Sequence, residues 1–170
     1  MNKLRITLGL QLAVFALWGG WLLYSRSAGG AEFYLETRPV DPRDLLSGTY
    51  VALNYEITAP KADGCAAALR SYEGFYLRLE DRGRTAQTPA GQVPVYEAAA
   101  CAARPGPEYG WVKAEPDRQA WRAGSALYGI ERFYLNENDP RKDARSGSVI
   151  ARVKIGPDRR LAILDLVQKI

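Results

Sequence analysis

The stretch YVALNYEI, from Tyr50 to Ile57, carries the plainest structural signal in the chain. Val51, Leu53, Tyr55 and Ile57 fall on one side of an extended backbone and Tyr50, Ala52, Asn54 and Glu56 on the other. This is the period of two that a half-buried strand shows and a helix does not. Upstream, EFYLETR (32–38) is rich in strand-forming side chains and is stopped by Pro39. Between these strands, Asp41 followed by Pro42 matches an N-cap and a first helical position, so DPRDLL (41–46) reads as one helical turn released at Gly48. Downstream, Phe75, Leu77 and Leu79 alternate in GFYLRLED (74–81), and DRGR (81–84) offers a tight turn with Gly83 at positive φ.

The remaining segments extend the pattern. Val93 to Ala98 is a strand whose continuation to Ala102 is ambiguous, and the proline-containing stretch 103–110 is a loop. Gly110 to Ala114 and Leu127 to Leu135 are two more strands. NENDPRKDARSG (136–147) reads as a short helix with Asp139 as cap, Pro140 at the first position and Gly147 at the end. VIARVKI (149–155), GPDRR (156–160) and LAILDLV (161–167) form a closing hairpin whose last strand is apolar on both faces and is therefore expected to be central or covered. The expected fold is all-β with minor α. It is a partly closed barrel or two-layer sandwich of about seven to eight strands with two short helices.

A different segment precedes this domain. Ile6 to Tyr24 carries no charged side chain and, as a helix, spans roughly 28 Å, enough to cross a bilayer. Trp18, Trp21 and Tyr24 cluster at its far end, as interfacial aromatics do. Lys3 and Arg5 before the span outweigh Arg26 after it, which keeps the N-terminus cytoplasmic by the positive-inside rule. Residues 1–26 are thus expected to be a membrane anchor, with 27–170 as an extracytoplasmic, periplasmic domain on the inner membrane. A cleaved signal peptide is the competing reading, with Gly29 and Ala31 as small residues for a peptidase, but the apolar run is long for that role.

Of the 170 residues none is His, which removes imidazole from acid–base catalysis, from activation of a Ser or Cys nucleophile and from metal ligation. No metal or cofactor is expected. The formal charge of +4 contains Lys3 and Arg5 of the anchor, and the rest is close to balanced, without a dense basic block. Nucleic acid is not an expected partner. Cys65 and Cys101 form either a disulfide suited to an oxidising compartment or two unrelated small residues in Ala-rich stretches.

PVDPRDLLSGTYVALNY (39–55), with SGTYVALNY at 47–55, resembles the signature of the GDYXXLXY domain family, and YGIERFYL (128–135) resembles its second motif. Thr49 stands where the family pattern has Asp, so a role needing that carboxylate is not carried over. The resemblance implies a bacterial membrane-anchored protein, often associated with or fused to a polytopic membrane protein. It implies no catalytic residues.

The candidate motif and binding residues are Asp41, Arg43, Asp44, Gly48, Tyr50, Asn54, Tyr55, Glu131 and Arg132. Read structurally, the charged ones pin a turn against the sheet, Gly48 allows a sharp bend, and the tyrosines bury area while seeking partners for their hydroxyls. Read functionally, they line a cleft: Asp41 and Asp44 as acceptors, Arg43 as an anion clamp, Tyr50 and Asn54 as orienting groups. An envelope hydrolase using Asp41 and Asp44 is one alternative. A Ser–Lys hydrolase on Ser47 finds no Ser-x-x-Lys spacing anywhere. A glycan-binding module would use Trp111, Trp121 and the tyrosines as stacking platforms. The leading expectation is a membrane-anchored binding or scaffold protein, an accessory subunit of a polytopic membrane partner. Gln11, Gly19 and Gly20 offer a helix-packing face in its anchor, beside the bland reading of a plain tether.

Overall fold

The computed structural model describes residues 2–27, 31–39, 50–71, 73–118, 124–134, 139 and 146–170. The chain divides into two compact units, Met1–Gly30 and Ala31–Ile170. The first is a helix, α1 (Asn2–Ser27), whose window Arg5–Leu22 has a mean hydropathy of 1.2 and no buried residue. Apolar side chains lie all around it rather than on one stripe, so it has no face suited to a soluble core. It is long and apolar enough to cross a membrane.

The second unit is built from strands. β1 (Glu32–Arg38), β3 (Asn54–Tyr55), β9 (Val149–Ile155) and β10 (Leu161–Gln168) form one sheet in the order β10-β9-β1-β3. β4 (Phe75–Thr88), β5 (Gly91–Ala102), β6 (Trp111–Pro116) and β7 (Ala126–Leu127) form another, ordered β5-β4-β6-β7. β2 (Tyr50–Ala52) and β8 (Arg132–Tyr134) make a separate ribbon. All strand pairs are antiparallel, and the sheets stay open rather than closing into a barrel. Phe33 and Leu35 from one sheet meet Phe75, Leu77 and Val112 from the other in a single buried core, which is the two-layer arrangement.

Several expectations need correction. YVALNYEI is not one strand: it splits into β2 and β3, which join different partners, and then tightens into a 3-10 turn at Glu56–Thr58. The alternation survives the split, since Val51, Leu53, Tyr55 and Ile57 are all buried. Leu127 to Leu135 is likewise not continuous. Gly129, at φ +79°, breaks it into β7 and β8, and the amide of Tyr128 turns to the Glu131 carboxylate at 2.5 Å. DRGR is not a hairpin turn. Gly83 has the expected positive φ of +80°, but β4 continues to Thr88 and the segment is a bulge, with Arg82, Gly83 and Arg84 set against Val95. The splits at Leu53 and Gly129 raise the strand count among the described residues to ten. β10 is not central. It lies at the edge of its sheet, with a bulge between Ile163 and Asp165, and its apolar content serves Leu161 and Leu166 in the core.

The helix α2 (Cys65–Arg70) stands where the sequence reading has only an Ala-rich stretch. The helical turn expected over 41–46 lies outside the described residues, as does most of the helix expected over 136–147.

The two cysteines are paired. The Cys65–Cys101 disulfide ties the start of α2 to the end of β5 across 36 residues. The same junction carries a backbone bond from the Cys101 amide to the Asp63 carbonyl at 2.9 Å, and Gly64 (φ +76°) passes so close to the Cys101 carbonyl that a side chain there would collide with it. In the bulge, Arg84 reaches Glu56 and Glu97 at 2.6 Å each and also meets Glu36, so one guanidinium links β1, the 3-10 turn and β5. Hydrogen bonds to Glu56 and then Glu97 push its pKa further up, so it stays charged at any working pH.

Replacing both cysteines by alanine is expected to lower the unfolding free energy by about 4 kcal/mol, the chain-entropy value for a loop of this size. Urea denaturation of the oxidised protein and the variant checks this.

Candidate functional site

The two motif segments meet face to face and exchange hydrogen bonds. Tyr55, fully buried, donates its hydroxyl to the Ile130 carbonyl at 2.7 Å. Tyr128, also buried, donates to the Ile57 carbonyl at 2.6 Å. Each motif thus contributes one tyrosine, and the accepting carbonyls are Ile130 inside the second motif and Ile57 two residues past the end of the first. The Leu53 amide adds a bond to the Glu131 carbonyl at 2.8 Å, and β2 pairs with β8 through Tyr50–Tyr134, Val51–Phe133 and Ala52–Arg132.

The reason is local. Leu53, Tyr55 and Ile57 are buried, which draws their backbone and a large ring into a dry interior where an unpaired polar group costs about 1–3 kcal/mol. The crossed hydroxyls meet that need. Burial, with the nearby Glu131 charge as the lesser cause, pushes both tyrosine hydroxyls well above their ordinary value of 10.0, so both remain neutral donors.

Around this clasp the motif residues divide by role. Tyr50 is half-buried, its ring 5.6 Å from that of Tyr134, and the Arg132 guanidinium lies 5.0 Å above it. Tyr134 and Arg132 are exposed. Tyr50, Arg132 and Tyr134 therefore form an accessible aromatic–cation strip on the ribbon. Asn54 is held through its backbone, its amide donating to Ser146 Oγ at 3.1 Å. Ser146 in turn donates to the Arg38 carbonyl, and the Gly147 amide donates to Thr37 Oγ1 at 2.8 Å, closing the end of β1. Glu131 accepts from a backbone amide, as a turn cap does.

Of the sequence candidates, the structure brings together Tyr50, Asn54, Tyr55, Glu131 and Arg132. Asp41, Arg43, Asp44 and Gly48 lie outside the described residues, as do Ser47, Thr49 and Trp121. Trp111 is buried, with its indole donating to Glu108 at 3.1 Å, so it is not a stacking platform. Among the described residues no group of three or more His, Cys, Asp or Glu side chains is placed to hold a metal. Tyr128 and Tyr134 enter the sequence reading only among the tyrosines of a glycan-stacking platform and not as motif residues, although both sit inside YGIERFYL. The available signal is a tyrosine beside glycine at one end of that motif and a Phe133–Tyr134 pair directly after Glu131 and Arg132 at the other.

This arrangement defines a class: an open β domain whose two sequence signatures clasp each other. The family model for the GDYXXLXY protein matches residues 12–166, nearly the whole chain, and the protein belongs to that family. None of the curated proteins and none of the solved structures matches it.

Tyr55→Phe and Tyr128→Phe are each expected to cost about 1–3 kcal/mol, because each strands a buried carbonyl. The pH dependence has a defined sign. A tyrosine whose folded pKa is raised adds stability that is complete below the unfolded value of 10.0 and is lost as pH climbs past it. Chemical denaturation at neutral and alkaline pH should show this alkaline loss in the native chain and a smaller one in each phenylalanine variant.

Proposed function

We propose that the protein is a membrane-anchored binding or scaffold protein whose β domain lies outside the cytoplasm, as an accessory subunit of a polytopic membrane protein. The observation that carries the reading is how the signature is spent. Its most buried groups, Tyr55, Leu53 and Tyr128, hold the frame together, and what they leave at the surface is the Tyr50, Arg132 and Tyr134 strip. Exposed aromatics beside an arginine are the side chains that protein interfaces favour.

The anchor supports the same reading. α1 buries none of its apolar window, and added side chains at Gly19 and Gly20 would meet open space, so two backbone positions are free for close approach by another helix in lipid. Lys3 and Arg5 favour a cytoplasmic N-terminus by the positive-inside rule, which puts the domain on the opposite side of an inner membrane. The paired cysteines suit that compartment.

The test is affinity purification of the tagged full-length chain from its native membranes in mild detergent. The native chain is compared with Arg132→Ala/Tyr134→Ala and with a version carrying an unrelated transmembrane helix. The expected result is a stoichiometric integral membrane partner that is lost from at least one of the variants while domain melting is unchanged. Recovery of all three chains alone would sink the subunit reading. Alkaline carbonate extraction should leave the native chain in the membrane pellet, and its release into the supernatant would refute the anchor.

A further inference from the structure

Another exposed aromatic lies away from the motif strip. Tyr109, in the loop that leads into β6, is 59% exposed. It is nevertheless fixed. Its ring stacks on Phe33 with centroids 5.7 Å apart, and its hydroxyl accepts from the Ala31 amide at 3.1 Å. The next residue, Gly110 at φ +94°, runs so close to the Leu79 carbonyl that a side chain there would collide with it. The Gly110 carbonyl accepts from the Leu79 amide at 2.9 Å. The loop therefore holds a largely open ring in one position.

That position is where the chain enters the domain. Ala31 is the first residue of the second unit, and β1 starts directly after it. Residues 28–30 join Ala31 to the end of α1 at Ser27, and so short a chain reaches about 15 Å at most. α1 runs on from its apolar window, which ends at Leu22, to Ser27, roughly 7 Å of helix. That is about the thickness of one headgroup layer. The other exposed large apolar side chains described in the domain, Tyr134 and Ile170, belong to the opposite end of β1. Tyr134 pairs with Tyr50, ahead of the Asn54–Arg38 contact, and the Ile170 amide reaches the Gln87 carbonyl while Lys169 holds Glu36. A strand of β1's length puts roughly 24 Å between its two ends.

Charge does not choose the occupant at the Ala31 end. Glu32 stands opposite Lys154 in the β1–β9 register, and Asp158 holds Arg160 at 3.5 Å in the turn between β9 and β10. The distinguishing group is the tyrosine. Its ring is apolar, and its hydroxyl still has a hydrogen to donate, because the Ala31 amide occupies only a lone pair. Amphipathic rings of this kind collect at the membrane–water boundary, with the ring toward the acyl chains and the hydroxyl toward the headgroups. We propose that Tyr109 sits in the headgroup layer of the bilayer that α1 enters and docks the domain on that membrane by its Ala31 end. The inference rests on the anchor reading of α1 and goes beyond it, since a tether alone leaves the domain free to tumble.

The experiment places tryptophan at 109 in the full chain, reconstituted in phosphatidylcholine liposomes with and without bromine near the top of one acyl chain. Ala90→Trp, in the exposed turn between β4 and β5 beside the Gln87–Ile170 contact, is the comparison. Tyr109→Trp should lose more fluorescence to the brominated lipid than the native chain does, and Ala90→Trp no more than the native chain. A paramagnetic headgroup lipid in nanodiscs reads the native sequence itself. It should broaden the amide resonances of Tyr109 and Gly110 and spare that of Ala90. No excess quenching at 109, equal quenching at 90, or an unbroadened Tyr109 amide would overturn the docking. Flotation of the liposomes separates the two failures: a chain that floats without these signals keeps its anchor and loses the docking, and a chain that does not float loses both.

Discussion

Two tyrosine hydroxyls set the terms for the domain. Tyr55 reaches from the first motif to a carbonyl of the second, and Tyr128 reaches back to the Ile57 carbonyl just past the first. Both rings are buried, so each contributes a large apolar area as well as a hydrogen bond. Partners 75 and 71 residues apart in sequence are thereby held in one register. The β2–β8 ribbon, the 3-10 turn and the end of β1 are all positioned by it. Few other residues could serve. Phenylalanine would fill the volume and leave a buried carbonyl without this donor, while a shorter hydroxyl would leave a void.

The same constraint explains which parts of the fold were legible in the sequence. Alternation at Val51, Leu53, Tyr55 and Ile57 identifies the buried face, because period two survives when a strand changes partner. It cannot show the change of partner itself, which depends on the Leu53 amide finding the Glu131 carbonyl. Gly83 was legible as a positive-φ position, but a bulge and a turn ask the same of glycine, and only the pairing of Thr85 with Pro94 separates them. β10 reads as central or covered because it is apolar on both faces. As an edge strand it still contributes Leu161 and Leu166 to the core, and composition does not distinguish the two situations.

The candidate site was legible in part for a related reason. Tyr50, Tyr55, Glu131 and Arg132 lie in contiguous motifs and can be named from the chain alone. Their division into a buried clasp and an exposed strip is a property of the fold: Tyr55 is fully buried, whereas Tyr50 keeps part of its ring at the surface beside Arg132. The Arg84 assembly was not legible at all. Its guanidinium gathers Glu36 from β1, Glu56 from the 3-10 turn and Glu97 from β5, elements with no shared pattern in sequence. These carboxylates meet it only once the sheets have packed.

Membership of the GDYXXLXY family and an apolar helix long enough to cross a membrane frame the functional reading. Within that frame, the two signatures act as one structural unit. A double-mutant cycle on Tyr55→Phe and Tyr128→Phe, read by chemical denaturation, puts this to the proof. Residues in one network couple by about 0.5–3 kcal/mol, so the double variant should lose less stability than the two single losses added together. Strict additivity would refute the shared unit, because it would mean that the two motifs stabilise the domain independently.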